Sequence, residues 1–223
     1  MSTYALGWRV FRDHFGRDVP ADRRRFGFVV GVVTAVAAFV VLVVVGLVAP
    51  WPDLQGPAAW IGAALLATGL GAFAVALVPL RPRTADGARL YWSGSQMAAP
   101  DHVERYFRAR TAPTIDPRDR DDVLRDAEAV RAGVLPEVYR GLVVVAATVL
   151  AVAGVALLDL PARIVVWVAL ITAVRTVMNV IRLGRVERAR ALAATLPDVP
   201  AAPERPPGRR RSPNGSKIQL PGD

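Results

Sequence analysis

The sequence predicts an all-α integral membrane protein. Its expected plan is four transmembrane helices in two hairpins, both termini cytoplasmic, a small helical cytoplasmic loop between the hairpins and a disordered C-terminal tail. Three observations carry that prediction. The 223 residues are 53% hydrophobic but only 7% aromatic, and the mean hydropathy is +0.33, a combination foreign to soluble domains of this size. The apolar residues are gathered into four blocks. Finally, the 28 basic residues fall almost wholly in three segments, before, between and after two closely linked pairs of blocks.

Residues 1–26 form a cytoplasmic N-terminal segment in this reading. Tyr4, Trp8, Phe11 and Phe15 recur at intervals of four, three and four, which places them on one face of a helix. Such a helix lies in the membrane interface and leads into Arg23, Arg24 and Arg25, the expected lipid-headgroup contacts. The competing expectation is that the aromatic face packs on the chain's own central loop.

From Phe26 to Pro52 no charged residue occurs, and a span over about 27–49 covers a ~30 Å hydrocarbon core at about 1.5 Å per residue. A cleaved signal peptide is not expected, because its apolar core is shorter and lies nearer the start. Span two runs over about 57–80, with Pro57 suited to a first helical turn and Trp60 at the outer edge. Gly27, Gly31 and Ala35 in span one, and Ala59, Ala63, Ala67 and Gly71 in span two, set small residues at four-residue spacing. Rows of this kind let helix backbones approach closely in lipid. Packing within the first hairpin, 27–80, is the expected use, ahead of a homo-oligomer.

The loop 81–138 is nearly balanced in charge, with eleven arginines against ten acids over residues 81–140. Asp101 and Glu104 have the spacing of a capping box ahead of Val103, Tyr106 and Phe107, predicting a helix over about 101–110 with Asp101–Arg105 and Glu104–Arg108 pairs. Asp116 before Pro117 opens a second, over about 117–134, with Val123, Leu124, Ala127, Val130 and Val134 as its stripe, Asp121–Arg125 as a pair, and an end near Gly133 and Pro136. These stripes either pack on each other or meet a protein partner.

The second hairpin, 139–182, holds spans over about 139–158 and 162–182. Arg175 is the one ionisable residue inside a span. With Thr172, Asn179 and Arg182 it shares a helix face, a polar intramembrane seam in which a charge is by default functional, although a side chain of this length also snorkels to the headgroups. Beyond it, Leu183, Val186, Ala189, Leu192, Ala193 and Leu196 extend the helix into the cytoplasm over 183–196. The tail 197–223 holds seven prolines in 27 residues and little to bury, hence its expected disorder. Its Arg209, Arg210 and Arg211 are expected at anionic lipid.

Loop arginines fix the orientation, since the three long segments hold six, eleven and nine basic residues and the two short links together hold only Arg163. All but one of the basic residues is arginine, and with the Ala, Val, Gly and Pro content this points to a GC-rich bacterial genome and so to an inner membrane. Cysteine is absent and the two histidines, His14 and His102, are far apart, which removes thiolate and histidine-based metal chemistry. The acids 116, 119, 121, 122 and 126 lack calcium-loop spacing. No metal site, cofactor or catalytic constellation is expected. The functional expectation is a non-enzymatic scaffold or accessory subunit that engages the bilayer, anionic lipids and a cytoplasmic partner or a second copy. A small transporter or channel subunit using the seam around Arg175 is the alternative. Nucleic acid is not an expected partner, because the basic cluster has no interleaved aromatics.

Overall fold

The computed structural model describes residues 2–19, 21–49, 56–79, 101–160 and 163–197. Helices make up the regular structure there: α1 (Thr3–Asp18), α2 (Ala21–Val48), α3 (Pro57–Leu77), α4 (Asp101–Arg108), a 3-10 turn (Pro117–Asp119), α5 (Arg120–Leu157) and α6 (Arg163–Ala194). Four of them, α2, α3, α5 and α6, include stretches long and apolar enough to cross a membrane. The tail from residue 198 and its arginines 209–211 lie outside the described residues.

The local reasons for these helices are legible. Ser2 accepts a hydrogen bond from the Ala5 N–H at 3.2 Å and so satisfies one orphan donor of α1. Pro57 sits in the first turn of α3, where its missing N–H costs nothing. α5 ends in a Schellman arrangement, with Leu160 N–H on Val155 O at 3.0 Å and Asp159 N–H on Ala156 O at 3.3 Å. Its left-handed position, φ 52°, is taken by Asp159, a residue type that tolerates this region better than most.

The four long helices pack as an antiparallel row in the order α2, α3, α5, α6. Backbone proximity explains the order. A Cβ added to Gly31 would stand 3.1 Å from Gly71 O, and Gly71 in turn faces Ala35, so α2 and α3 meet through the small residues of the first hairpin. On the other side of α3, a Cβ on Gly62 would meet Gly154 O at 3.0 Å and one on Gly69 would meet Ala147 O at 2.8 Å. Two helices with little hydrophobic drive between them in lipid associate where small side chains permit such approach. Ala63 and Ala67 are buried in α3 and Ala59 is partly so. The outward faces are apolar, including Phe28, Val29, Val32, Val33 and Val36 of α2 and Val166, Trp167, Leu170 and Ile171 of α6.

One sequence expectation is corrected. The helix opened at residue 117 does not end near Gly133 and Pro136; α5 runs unbroken for 38 residues with Pro136 inside it, about 57 Å at 1.5 Å per residue. An internal proline removes one helical hydrogen bond and crowds the preceding turn. Here Pro136 is buried between Leu135 and Val138, both at 0% exposure, and Val134 is buried as well; packing on this face offsets the lost bond.

α5 and α6 are therefore longer than a bilayer needs, and their excess emerges side by side at the end of the row opposite the short links. Val123, Ala127, Val130 and Val134 of α5 face Leu183, Val186, Ala189 and Ala193 of α6 there, joined by Val103, Tyr106 and Phe107 of α4 and by Val10 and Phe11 of α1 in one core. The stripes read from the sequence thus have a partner within the chain, chiefly the extension of α6.

Candidate functional site

Where the apolar row meets this helical module, arginines converge on one level. Their common height follows from contacts across five helices. Gly141 of α5 lies against Thr176 of α6, so the neighbouring Arg140 and Arg175 share a level. Arg140 Nε donates to Ala76 O at 2.6 Å and Arg23 Nη1 to Pro79 O at 2.7 Å. Phe15 stacks on Tyr139 with centroids 5.0 Å apart while the Arg24 guanidinium lies over the Phe15 ring at 5.3 Å. The result is a belt of Arg23, Arg24, Arg25, Arg140 and Arg175.

Members of the belt differ in what they bind. Arg23 and Arg140 satisfy carbonyls at the C-terminal end of α3, where the helix leaves acceptors without intrahelical donors and a cation is favoured. Sequence reading missed Arg140 altogether and placed Arg23 among headgroup contacts; no local pattern joins residues 56 and 64 positions apart. Arg24 holds its charge over an aromatic face, and its Nε is buried with no hydrogen-bond acceptor. Arg25 is exposed, and among the described residues it has no acceptor either.

Along the continuous α6 the four residues of the sequence-predicted seam meet different surroundings. Thr172 offers its carbonyl to Thr176 Oγ1 at 2.7 Å. Arg175 is on the exposed face and Asn179 is half-buried. Arg182 lies about 10 Å farther along α6, seven residues at 1.5 Å each, and its Nη2 stands 3.8 Å from Glu104 Oε1 of α4. The buried polar group of this stretch is Thr176, 5% exposed. Its four-residue spacing from Thr172 opposite a glycine was the available signal.

α1 is placed by the module. Gly7 and Gly184 cross with backbone against backbone: a Cβ on Gly7 would overlap Val180 O, and one on Gly184 would overlap Thr3 O. Arg188 Nη2 donates to Thr3 Oγ1 at 3.0 Å. Of the aromatic face, Phe11 is buried and Phe15 packs against the core, while Tyr4 and Trp8 remain 45% and 38% exposed. The helix thus docks on α6 and α5 and keeps half its aromatics outward.

At the opposite edge of the module, α4 is tied to the start of α5. Tyr106 Oη donates to Asp119 Oδ2 at 2.8 Å and accepts from Arg105 Nη2 at 2.8 Å; Arg105 also reaches Asp119 at 3.2 Å. The hydrogen bond to Tyr106, with Asp119 adding to it, raises the Arg105 pKa above its ordinary value. Glu104 pairs with Arg108 at 2.8 Å, as its spacing predicts. Arg125, expected on Asp121, instead holds Asp122 at 2.6 Å and Asp126 at 3.4 Å, while Asp121 pairs with Arg120. A three-residue offset also brings helical side chains together. Asp116 Oδ1 caps Arg118 N–H at 3.0 Å, as read from the sequence. These are exposed or half-exposed pairs that position elements and contribute little each.

Together these features define a helical protein with four membrane-length apolar helices, a helical module built on two of them and an arginine belt at the junction. No protein-family model, curated protein or solved structure compared with the chain matches it.

Proposed function

We propose that the chain is a non-enzymatic scaffold or accessory subunit of a bacterial inner membrane, with both termini and the helical module in the cytoplasm. The observation that carries this reading is the continuity of α5 and α6 from apolar span into module core. A platform continuous with its anchors holds a fixed attitude to the membrane surface, as a docking partner requires. Basic residues concentrated at the module end support the orientation. Among the described residues, the row arrangement and the exposed position of Arg175 favour the scaffold over the transport alternative.

Two measurements test this. Reporter fusions should read external after Asp53 and cytoplasmic after Arg110 and at the C-terminus; an internal reading at Asp53 would overturn the orientation. Protein purified in mild detergent should carry a stoichiometric partner or a second copy by native mass measurement, and reconstituted vesicles should show no flux. A bare monomer that conducts an anion selectively would overturn the scaffold reading in favour of transport.

A further inference from the structure

We infer that the start of α2 is a binding site for one anionic phospholipid of the leaflet on the module side. The inference deepens the membrane-scaffold reading, and it rests on membrane insertion in that reading but not on scaffolding. A shallow groove of about 590 Å³ runs along Ala21, Arg24, Arg25, Phe28 and Val29. Its composition changes along its length. The end nearer the module holds two guanidinium groups, and the end nearer the apolar row holds Phe28 and Val29, 70% and 57% exposed. A molecule with a phosphate at one end and a hydrocarbon chain at the other complements both ends.

The belt itself singles out these two arginines. Arg23 and Arg140 are engaged by α3 carbonyls, and Arg175, on α6, does not line the groove. Arg24 lines the groove with its guanidinium held over Phe15 and not by an acceptor, and Arg25 has no acceptor among the described residues. Phe15 under the Arg24 guanidinium restrains its direction, which reduces the ordering that binding would otherwise impose. Arginine forks match phosphate oxygens in a two-point manner. The N-terminal end of α2 adds positive character at the same place. A soluble phosphate would satisfy the guanidinium groups but leave the apolar half of the groove uncovered, so the lipid is the occupant that fits.

The test uses the full chain in nanodiscs and native mass measurement after delipidation. Wild type should retain phosphatidylglycerol over phosphatidylcholine at 1:1 stoichiometry. Arg24→Gln/Arg25→Gln should lower that retention about thirtyfold, from roughly fivefold per basic residue at an anionic surface. Arg25→Gln alone, at an exposed position, should keep the fold by circular dichroism and lose about fivefold. Arg110→Gln, on the module surface, should change nothing. Equal retention by wild type and the folded Arg25→Gln form, no preference for the anionic lipid, or full competition by inorganic phosphate would each overturn the proposal. Loss of lipid selectivity with partner or dimer unchanged would sink this site and leave the scaffold reading standing.

Discussion

Replacing Gly7 with alanine should release α1 from the module, and Gly16→Ala on the same helix supplies the control. At Gly7 an added Cβ would overlap Val180 O and lie 2.9 Å from Gly184 N and 3.0 Å from Val180 C. All three are backbone atoms, so no side-chain rotation relieves the clash and α1 must move bodily away from α6. The cost belongs near the top of the range for overpacking, about 2–3 kcal/mol. Docking buries Val10 and Phe11 to 6% and 7% exposure, a gain of about 1.5–3 kcal/mol for each side chain. The substitution therefore removes a large share of what holds α1. Alanine favours the helix equally in docked and released α1, so its propensity gain cancels in the docking equilibrium. At Gly16 nothing lies within 4 Å of the added Cβ, and the same change should stabilise the helix by up to about 1 kcal/mol. Amide hydrogen exchange reads the difference directly. Protection across α1 should fall roughly 30- to 150-fold in Gly7→Ala, the conversion of about 2–3 kcal/mol at 1.4 kcal/mol per decade. In Gly16→Ala it should hold or rise. Unchanged protection in Gly7→Ala, or an equal loss in both variants, would refute the reasoning that a glycine crossing docks this helix.

Three further outcomes are expected. Gly154→Val places a Cβ 2.6 Å from Gly62 O and Leu66 N; separating α3 from α5 should cost about 1–3 kcal/mol, read as a lower melting midpoint in detergent. Arg175→Leu should change membrane insertion by under about 1 kcal/mol, against about 2.5–3.5 for an arginine at a span centre. A larger gain in an insertion assay would place the residue deeper than its level with Arg140. Asp159→Val puts a β-branched residue at φ 52° and should cost about 1–2 kcal/mol, whereas Asp159→Gly should be tolerated in the same thermal assay.

Much of the architecture was legible because it is written in local pattern. Uninterrupted apolar stretches define four membrane-length helices, and the 3.6-residue recurrence of Leu183, Val186, Ala189 and Ala193 carries α6 past its span as observed. The Asp116 cap and the Glu104–Arg108 pair involve residues within four positions of each other, where helix geometry alone decides contact. Gly31 and Gly71 announced close packing, and their place in one short-linked hairpin made each other the nearest surface available.

Tertiary structure decided everything that depends on which surface lies opposite. Gly133 and Pro136 read as a stop because a proline locally breaks a helix; the burial of Leu135 and Val138 against residues far along the chain keeps α5 whole. The aromatic face of α1 is equally suited to lipid and to protein by its periodicity, and the backbone crossing of Gly7 with Gly184 selects protein. Arg23 and Arg140 look like any boundary arginines until α3 is found ending beside them with carbonyls to satisfy. Arg175 reads as the lone charge of its span from its apolar neighbours, and only the register of α5 against α6 sets it level with Arg140. The physical reason is common to all four. Periodicity and hydropathy are properties of one helix and specify which face seeks cover, whereas what covers it is set by the packing register between helices, which short-range spacing does not encode.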